Sequence, residues 1–229
     1  MFILKLRYIL VFLLLTTCAT GYYEHICADT KALNVKTDTL WKKTDIKVCW
    51  FENANDDAYA ENRQIVHDII YVTWNRTLSP EEVPEDEWVQ FVGWEECVSG
   101  DNHDIKMKEG PGANRVNGLG TDATYVNFNY SNPDAPKWDI KRIAIHEFGH
   151  LLGLAHEHNR VDTGDQCSYE PQGTDGNRYY GRWDHDSVMN YCNSRYKDSV
   201  LSPSDQYWIL RVYYPDYFID ECEPYIIED

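Results

Sequence analysis

The apolar and polar positions of this chain divide it into short strand-like runs, three stretches of helical period and a long irregular segment. Ile46-Lys47-Val48-Cys49-Trp50-Phe51 is β-branched and aromatic and predicts a first strand. From Asn55 to Asn75, Ile65, Ile69 and Val72 recur at helical spacing behind a cap at Asn55 or Asp56. His67 stands one step off that face and is expected at the surface or in packing. Pro80, Pro84 and the acids between them form a solvated loop. Further strands are expected at Trp88–Trp94, Asp104–Lys108 and Tyr125–Phe128, with Gly110-Pro111-Gly112 breaking the chain. A helix is predicted from about Pro136 to Leu152, with Ile140, Ala144, Phe148 and Leu151 on one side. The chain is then polar and glycine-rich until Ser202-Pro203-Ser204-Asp205, which supplies a cap, a proline at the first helical position and an acid three residues on. The helix that follows is expected to bury Ile209, Leu210 and Tyr213.

Composition bounds what these elements build. A chain of 229 residues is one domain of ordinary size or two small subdomains sharing a cleft, and its eight Trp, seventeen Tyr and seven Phe suffice for a sizeable core. The net charge of −17 argues against nucleic acid and anionic membrane surfaces as partners. No internal repeat, heptad run or low-complexity segment is present.

Residues 1–20 read as a signal peptide: Lys5 and Arg7, an apolar run over Tyr8–Leu15, and the small-residue exit Thr17-Cys18-Ala19. The run is too short for a membrane span, so secretion is expected, without stable membrane insertion. An alternative is a lipid anchor through Cys18, since Leu15-Thr16-Thr17-Cys18 faintly resembles a bacterial lipoprotein box. Without Cys18, Cys27, Cys49, Cys97, Cys167, Cys192 and Cys222 form an even set compatible with three disulfides. Six cysteines allow about 15 pairings; Cys49–Cys97, Cys167–Cys192 and Cys27–Cys222 is the expected one. A cytosolic zinc–thiolate site lacks a C-x-x-C pair. The sequons at Asn75 and Asn129 matter only where the source glycosylates, and residues 21–38 read as a short lead-in.

The chemistry concentrates in His146-Glu147-Phe148-Gly149-His150-Leu151-Leu152-Gly153-Leu154-Ala155-His156. On a helix, His146 and His150 stand one turn apart on the same face, within reach of one ion. Gly153 permits the left-handed backbone that ends the helix and brings His156 back to the same point. Three neutral imidazoles leave one zinc position open, the arrangement of a catalytic site. Glu147 sits beside that position, where its carboxylate can take a proton from attacking water and pass it to the leaving amine.

This H-E-x-x-H-x-x-G-x-x-H stretch resembles the signature of the metzincin zinc proteases. Ser187-Val188-Met189-Asn190-Tyr191 resembles their methionine turn, in which Met189 would form an apolar floor under the ligands. The continuation His156-Glu157-His158-Asn159-Arg160-Val161-Asp162 resembles the astacin pattern H-E-x-x-R-x-D, and Tyr191 stands where astacins and serralysins carry a tyrosine able to approach the zinc. Leu154 and Asn190 depart from the usual astacin residues. The resemblance covers roughly residues 140–214.

It implies an α+β, metzincin-type zinc protease domain: a twisted mixed β-sheet, an active-site helix and a loop-rich C-terminal subdomain. The catalytic domain would span 39–229, divided into an upper part (39–153) and a lower part (154–229). An antiparallel edge strand for extended substrate is expected within Ala113–Gly120. The implied function is a secreted zinc endopeptidase with one Zn²⁺ per chain held by His146, His150 and His156, Glu147 as general base and Tyr191 assisting the oxyanion. Its partners would be protein or peptide substrates, and a monomer is expected. Ca²⁺ is a further possibility, through Asp162, Asp165, Asp175, Asp184 and Asp186, without a recognisable loop pattern. The alternatives are a serralysin- or matrixin-like protease, a non-catalytic zinc-binding recognition protein, and a disulfide-stapled structural domain in which the histidines are incidental.

Overall fold

The computed structural model describes residues 33–51, 59–129, 136–193 and 198–218. The first described element is a strand, β1 (Leu33–Val35), in the stretch that the sequence reading assigned to the lead-in. All three of its residues are buried. Strand β2 (Asp45–Trp50) follows, one residue off its expected start. With β3 (Gln90–Glu96), β4 (Ile105–Glu109), β5 (Arg115–Val116) and β6 (Tyr125–Phe128) it forms a five-stranded sheet ordered β3-β2-β4-β6-β5. The pairs β2–β3, β2–β4 and β4–β6 are parallel, whereas β5 runs antiparallel to β6 at the edge. Alternation selects the face in β4, where Ile105, Met107 and Glu109 point inward.

Helix α1 (Ala60–Ile70) is the crossover between β2 and β3, and runs on through a π-helical turn at Tyr71–Asn75. Its buried stripe is Asn62, Val66 and Ile70, then Trp74 and Asn75, with Ile65 and Ile69 only partly buried. Val72, expected inside, is 54 % exposed. The adjacent pairs Ile65/Val66 and Ile69/Ile70 fit two phases of the same helix, and packing against the sheet and the later helix settles on the second. The sequon at Asn75 is also unavailable in the fold: its buried carboxamide bonds the Phe91 backbone both ways, at 3.0 Å each.

Helix α2 (Lys137–Leu151) packs on α1 and the sheet, and every residue from Ile143 to Leu151 is buried. Phe148 lies edge-on to Phe91 (4.7 Å) and parallel to Trp94 (5.5 Å). Burying such a ring contributes about 2–3 kcal/mol, so this face anchors the helix. Beyond α2, β1 pairs antiparallel with β7 (Arg178–Tyr180).

Helix α3 (Pro203–Tyr213) begins at the expected capping box, Ser202 Oγ accepting from the Asp205 amide and Asp205 accepting from the Ser202 amide, each at 2.9 Å. It buries Trp208 and Ile209, while Leu210 and Tyr213, expected inside, are half-buried: the larger Trp208 takes the centre of the contact. Just past its end, the Tyr214 hydroxyl accepts from the Val89 amide (2.8 Å) and donates to the Leu78 carbonyl (2.7 Å), tying α3 to the sheet.

Cys49–Cys97 and Cys167–Cys192 are disulfide-bonded as expected, whereas Cys27 and Cys222 lie outside the described residues. The signal segment and Cys18 also lie outside them. Among the described residues no helix is long and apolar enough to cross a membrane.

Candidate active site

Helix α2 carries His146 and His150 on one face, and its C-terminal end delivers the third histidine. Gly153 at φ +86° turns the chain in a conformation that a side chain would strain. The chain then runs along β1: the Lys36 amide donates to the Gly153 carbonyl (2.9 Å) and the Ala155 amide to the Asn34 carbonyl (2.8 Å). Asn34, fully buried, donates through Nδ2 to the His156 carbonyl (3.1 Å) and to Asp175 (2.6 Å). The strand missing from the sequence reading is therefore the template that places His156.

Each imidazole is oriented through its Nδ1, which faces a carbonyl: Val188 for His146 (2.8 Å), Leu154 for His150 (2.7 Å) and Gln172 for His156 (2.9 Å). A carbonyl only accepts, so each Nδ1 carries the hydrogen and each Nε2 presents a lone pair. His156 Nε2 lies 3.2 Å from both other Nε2 atoms. Around zinc at 2.0–2.1 Å in a tetrahedral set, neighbouring nitrogens stand about 3.3–3.4 Å apart, so these three fit the ion. Burial, before any repulsion among the rings, lowers all three pKa values, that of His150 to about 3. All three are neutral at ordinary pH, the form that can coordinate a metal ion. Among the described residues this is the one cluster with metal-ligand geometry.

The methionine turn lies beneath. A Cβ on Gly149 would stand 2.4 Å from the Met189 sulfur, so the bare glycine lets the thioether seat against α2. Ser187 Oγ and the Val188 amide bond Asp205 (2.7 and 3.1 Å), and the Met189 carbonyl accepts from the Glu157 amide (2.9 Å).

Glu147 is buried beside the histidines. Burial pushes its carboxyl up to about 8, opposed by a hydrogen bond from the Val116 amide of β5. Its Oε2, buried, has no hydrogen-bond partner among the described residues. The Tyr191 ring lies 4.6 Å from His156, 5.3 Å from His146 and 4.5 Å from His158. Burial, then the charge of Glu147, raise its pKa, so the phenol keeps its proton and remains a donor.

The cleft runs between β5 and the later loops. Asn114–Leu119 line one wall, Gly173 and Thr174 the other, with Glu147, His150, His156 and Tyr191 on the floor. The edge strand thus falls within Ala113–Gly120.

Beside the ligands, Glu157, Arg160 and Asp162 form a linked group. The fully buried Arg160 lies 3.3 Å from Glu157, donates twice to Asp162 (2.8 Å each) and once to the Gly181 carbonyl (2.9 Å), and faces the Tyr179 ring at 4.4 Å. Three of the five acids raised for calcium have side-chain partners: Asp162 with Arg160, Asp175 with Asn34, and Asp184 with Ser202 Oγ at 2.6 Å.

Sequence reasoning missed Asn34, Gly149 and His158, along with the carbonyls of Val188, Leu154 and Gln172. Backbone acceptors have no side-chain signature. Gly149, between two ligands on a buried helix, offered the one readable signal, since glycine inside a helix costs about 1 kcal/mol and asks for a packing reason.

No protein-family model matches the chain. Interstitial collagenase of Bos taurus is 37 % identical over 65 residues, which span 26 % of this chain and 14 % of the collagenase. Among solved structures, myroilysin superposes with a TM-score of 0.55 at 20 % identity, covering 80 % of this chain and 98 % of the myroilysin chain. The medaka (Oryzias latipes) high choriolytic enzyme 1, a hatching enzyme zinc-protease, superposes at 0.48 with 14 % identity over 77 % of this chain and 95 % of its own. The chain therefore shares the α+β fold of myroilysin, which bears out the expected fold class.

Proposed function

We propose that this chain is a secreted zinc endopeptidase of the astacin-like branch of the metzincins, with residues 1–20 a signal peptide and 39–229 the catalytic domain. One observation carries the reading: three buried imidazoles whose carbonyl-bound Nδ1 atoms turn every Nε2 to one point, with Glu147 and Tyr191 beside it. The segment shared with a collagenase and the fold shared with myroilysin support the metzincin assignment. The buried Glu157–Arg160–Asp162 group supports the astacin-like branch over serralysin- or matrixin-like alternatives.

His146, His150 and His156 hold the ion, one per chain. Zinc bound there would supply Lewis acidity toward water and the scissile carbonyl. Substrate lies extended along the outer edge of β5, adding its backbone as a further strand. Glu147, which a cation held by the histidines would favour as a carboxylate, takes the proton of the attacking water and delivers it to the leaving amine. The Tyr191 hydroxyl donates to the carbonyl oxygen as charge develops there.

Glu147→Gln tests this directly. The purified variant should retain about one zinc per chain and its fold, and lose casein hydrolysis by about 10²–10⁴-fold. Wild-type turnover in the variant would show that Glu147 has another role, whereas folded wild-type protein that holds zinc without cleaving any peptide library would favour the recognition-protein alternative.

A further inference from the structure

We propose that His158 is a positioning residue, a rigid wall that holds the Tyr191 ring over the metal-binding histidines; this rests on the reading of Tyr191 as the oxyanion donor. His158 is 3 % exposed, and neither ring nitrogen has a hydrogen-bond partner among the described residues. Its ring packs by face and edge against three other rings. The Tyr191 ring is stacked on it at 4.5 Å and 20°, the His156 ring lies at 4.8 Å and 31°, and Tyr169 meets it edge-on at 6.1 Å.

The wall is held from both sides in sequence. His158 is the middle residue of a 3-10 turn, Glu157–Asn159. Glu157 on one side is buried against Arg160 and accepts the Asp184 amide at 3.1 Å. Asn159 on the other bonds the Gln172 backbone both ways, donating at 3.0 Å and accepting at 2.9 Å. Tyr191, by contrast, is only half-buried and borders the open cleft, and Tyr169 beside it is 54 % exposed. A phenol on two side-chain torsions is useful as a donor at one position only, and a misplacement of about 1 Å can cost about 10²-fold in rate. The flat face of His158 restricts that rotation. A buried histidine whose ring nitrogens have no partner among the described residues contributes its ring shape rather than its nitrogens.

The test is steady-state kinetics with zinc content and thermal unfolding on wild type, H158A, H158F, Y191F and H158A/Y191F. Y191F should lower kcat by about 10²-fold. H158A should lower kcat by up to about tenfold with KM and zinc content near wild type, the scale of one aromatic pair. H158F, which keeps a flat ring, should recover to within about twofold, and H158A should add nothing in the Y191F background. Should H158A fail to fold, His158→Leu, apolar and of similar volume but not flat, takes its place. The proposal is overturned if H158A is silent, if its loss persists undiminished in Y191F, or if H158F is as impaired as H158A. A silent Y191F would instead overturn the role of Tyr191, and the positioning of it with that role.

Discussion

Gly149 joins the metal-binding helix to the turn beneath it. A methyl group at this position would have to displace the Met189 sulfur, which is buried and linked through Val188 to His146. Gly149→Ala gains helix propensity of about 1 kcal/mol, so on an exposed helix it would stabilise. Here overpacking, typically about 1–3 kcal/mol, should win. The expected outcome is a lower urea midpoint with no change in m-value, plus faster loss of zinc to a chelator; a stabilised variant would show that Met189 has room to move. The ligands themselves carry a pH signature. His150 titrates at about 3 when folded, against about 6.5 unfolded, because of burial and then His156. Between those values the unfolded chain binds a proton that the folded chain does not, so acid favours unfolding. In metal-free protein this contribution is fully present above about pH 6.5 and is lost as pH falls toward 3. Urea midpoints of chelator-treated protein at pH 7 and pH 5 should fall with acid, and His150→Gln should flatten the slope.

At the scale of elements, β1 matters more than its three residues suggest. It is the partner of β7 and the track for the chain leaving α2, so one side bears structure and the other positions a ligand. Asn34 does both, through the carbonyl of His156 and the carboxylate of Asp175. Asn34→Ala should leave His146 and His150 in place and loosen His156. Outer partners of metal ligands typically contribute about 10–100-fold in affinity, and a chelator-competition titration should show a weakening of that order. Unchanged affinity would mean that β1 holds His156 by its backbone alone.

At the largest scale, the described residues form a cleft with the edge strand β5 on one side and the loop carrying Gly173 and Thr174 on the other. The loop side has little regular structure, and the Cys167–Cys192 disulfide, the β1–β7 pair and Arg160 hold it together. Arg160 is buried with Glu157, whose own carboxyl is pushed well up by burial and drawn back by the arginine. Removing one partner of such a pair leaves an uncompensated buried charge, at a cost of about 3–5 kcal/mol. Arg160→Met should therefore lower unfolding free energy by that order, measured by urea denaturation. Glu157→Gln in the same background should recover part of the loss, since it removes the stranded charge. Failure of the second change to help would point to the Gly181 and Tyr179 contacts as the main contribution.

The sequence by itself determined the features set by spacing along one element or by local chemistry. His146 and His150 at one helical turn, the turn at Gly153, the capping box at Ser202 and the strand Tyr125–Phe128 all follow from backbone geometry within a few residues. The metzincin resemblance lay in the same short motifs. Tertiary structure alone decided what depends on partners distant in the chain. The phase of α1 was ambiguous because Ile65/Val66 and Ile69/Ile70 satisfy two faces equally until the sheet and α2 choose one. Strand β1 is too short to announce itself, and exists because β7 pairs with it from more than a hundred residues away. The tautomer of each histidine depends on a backbone carbonyl that any residue could have supplied. Hydrogen bonds to the main chain and packing at long range leave almost no mark on residue type, which is why the three-histidine cluster could be read from the sequence and the supports that aim it could not.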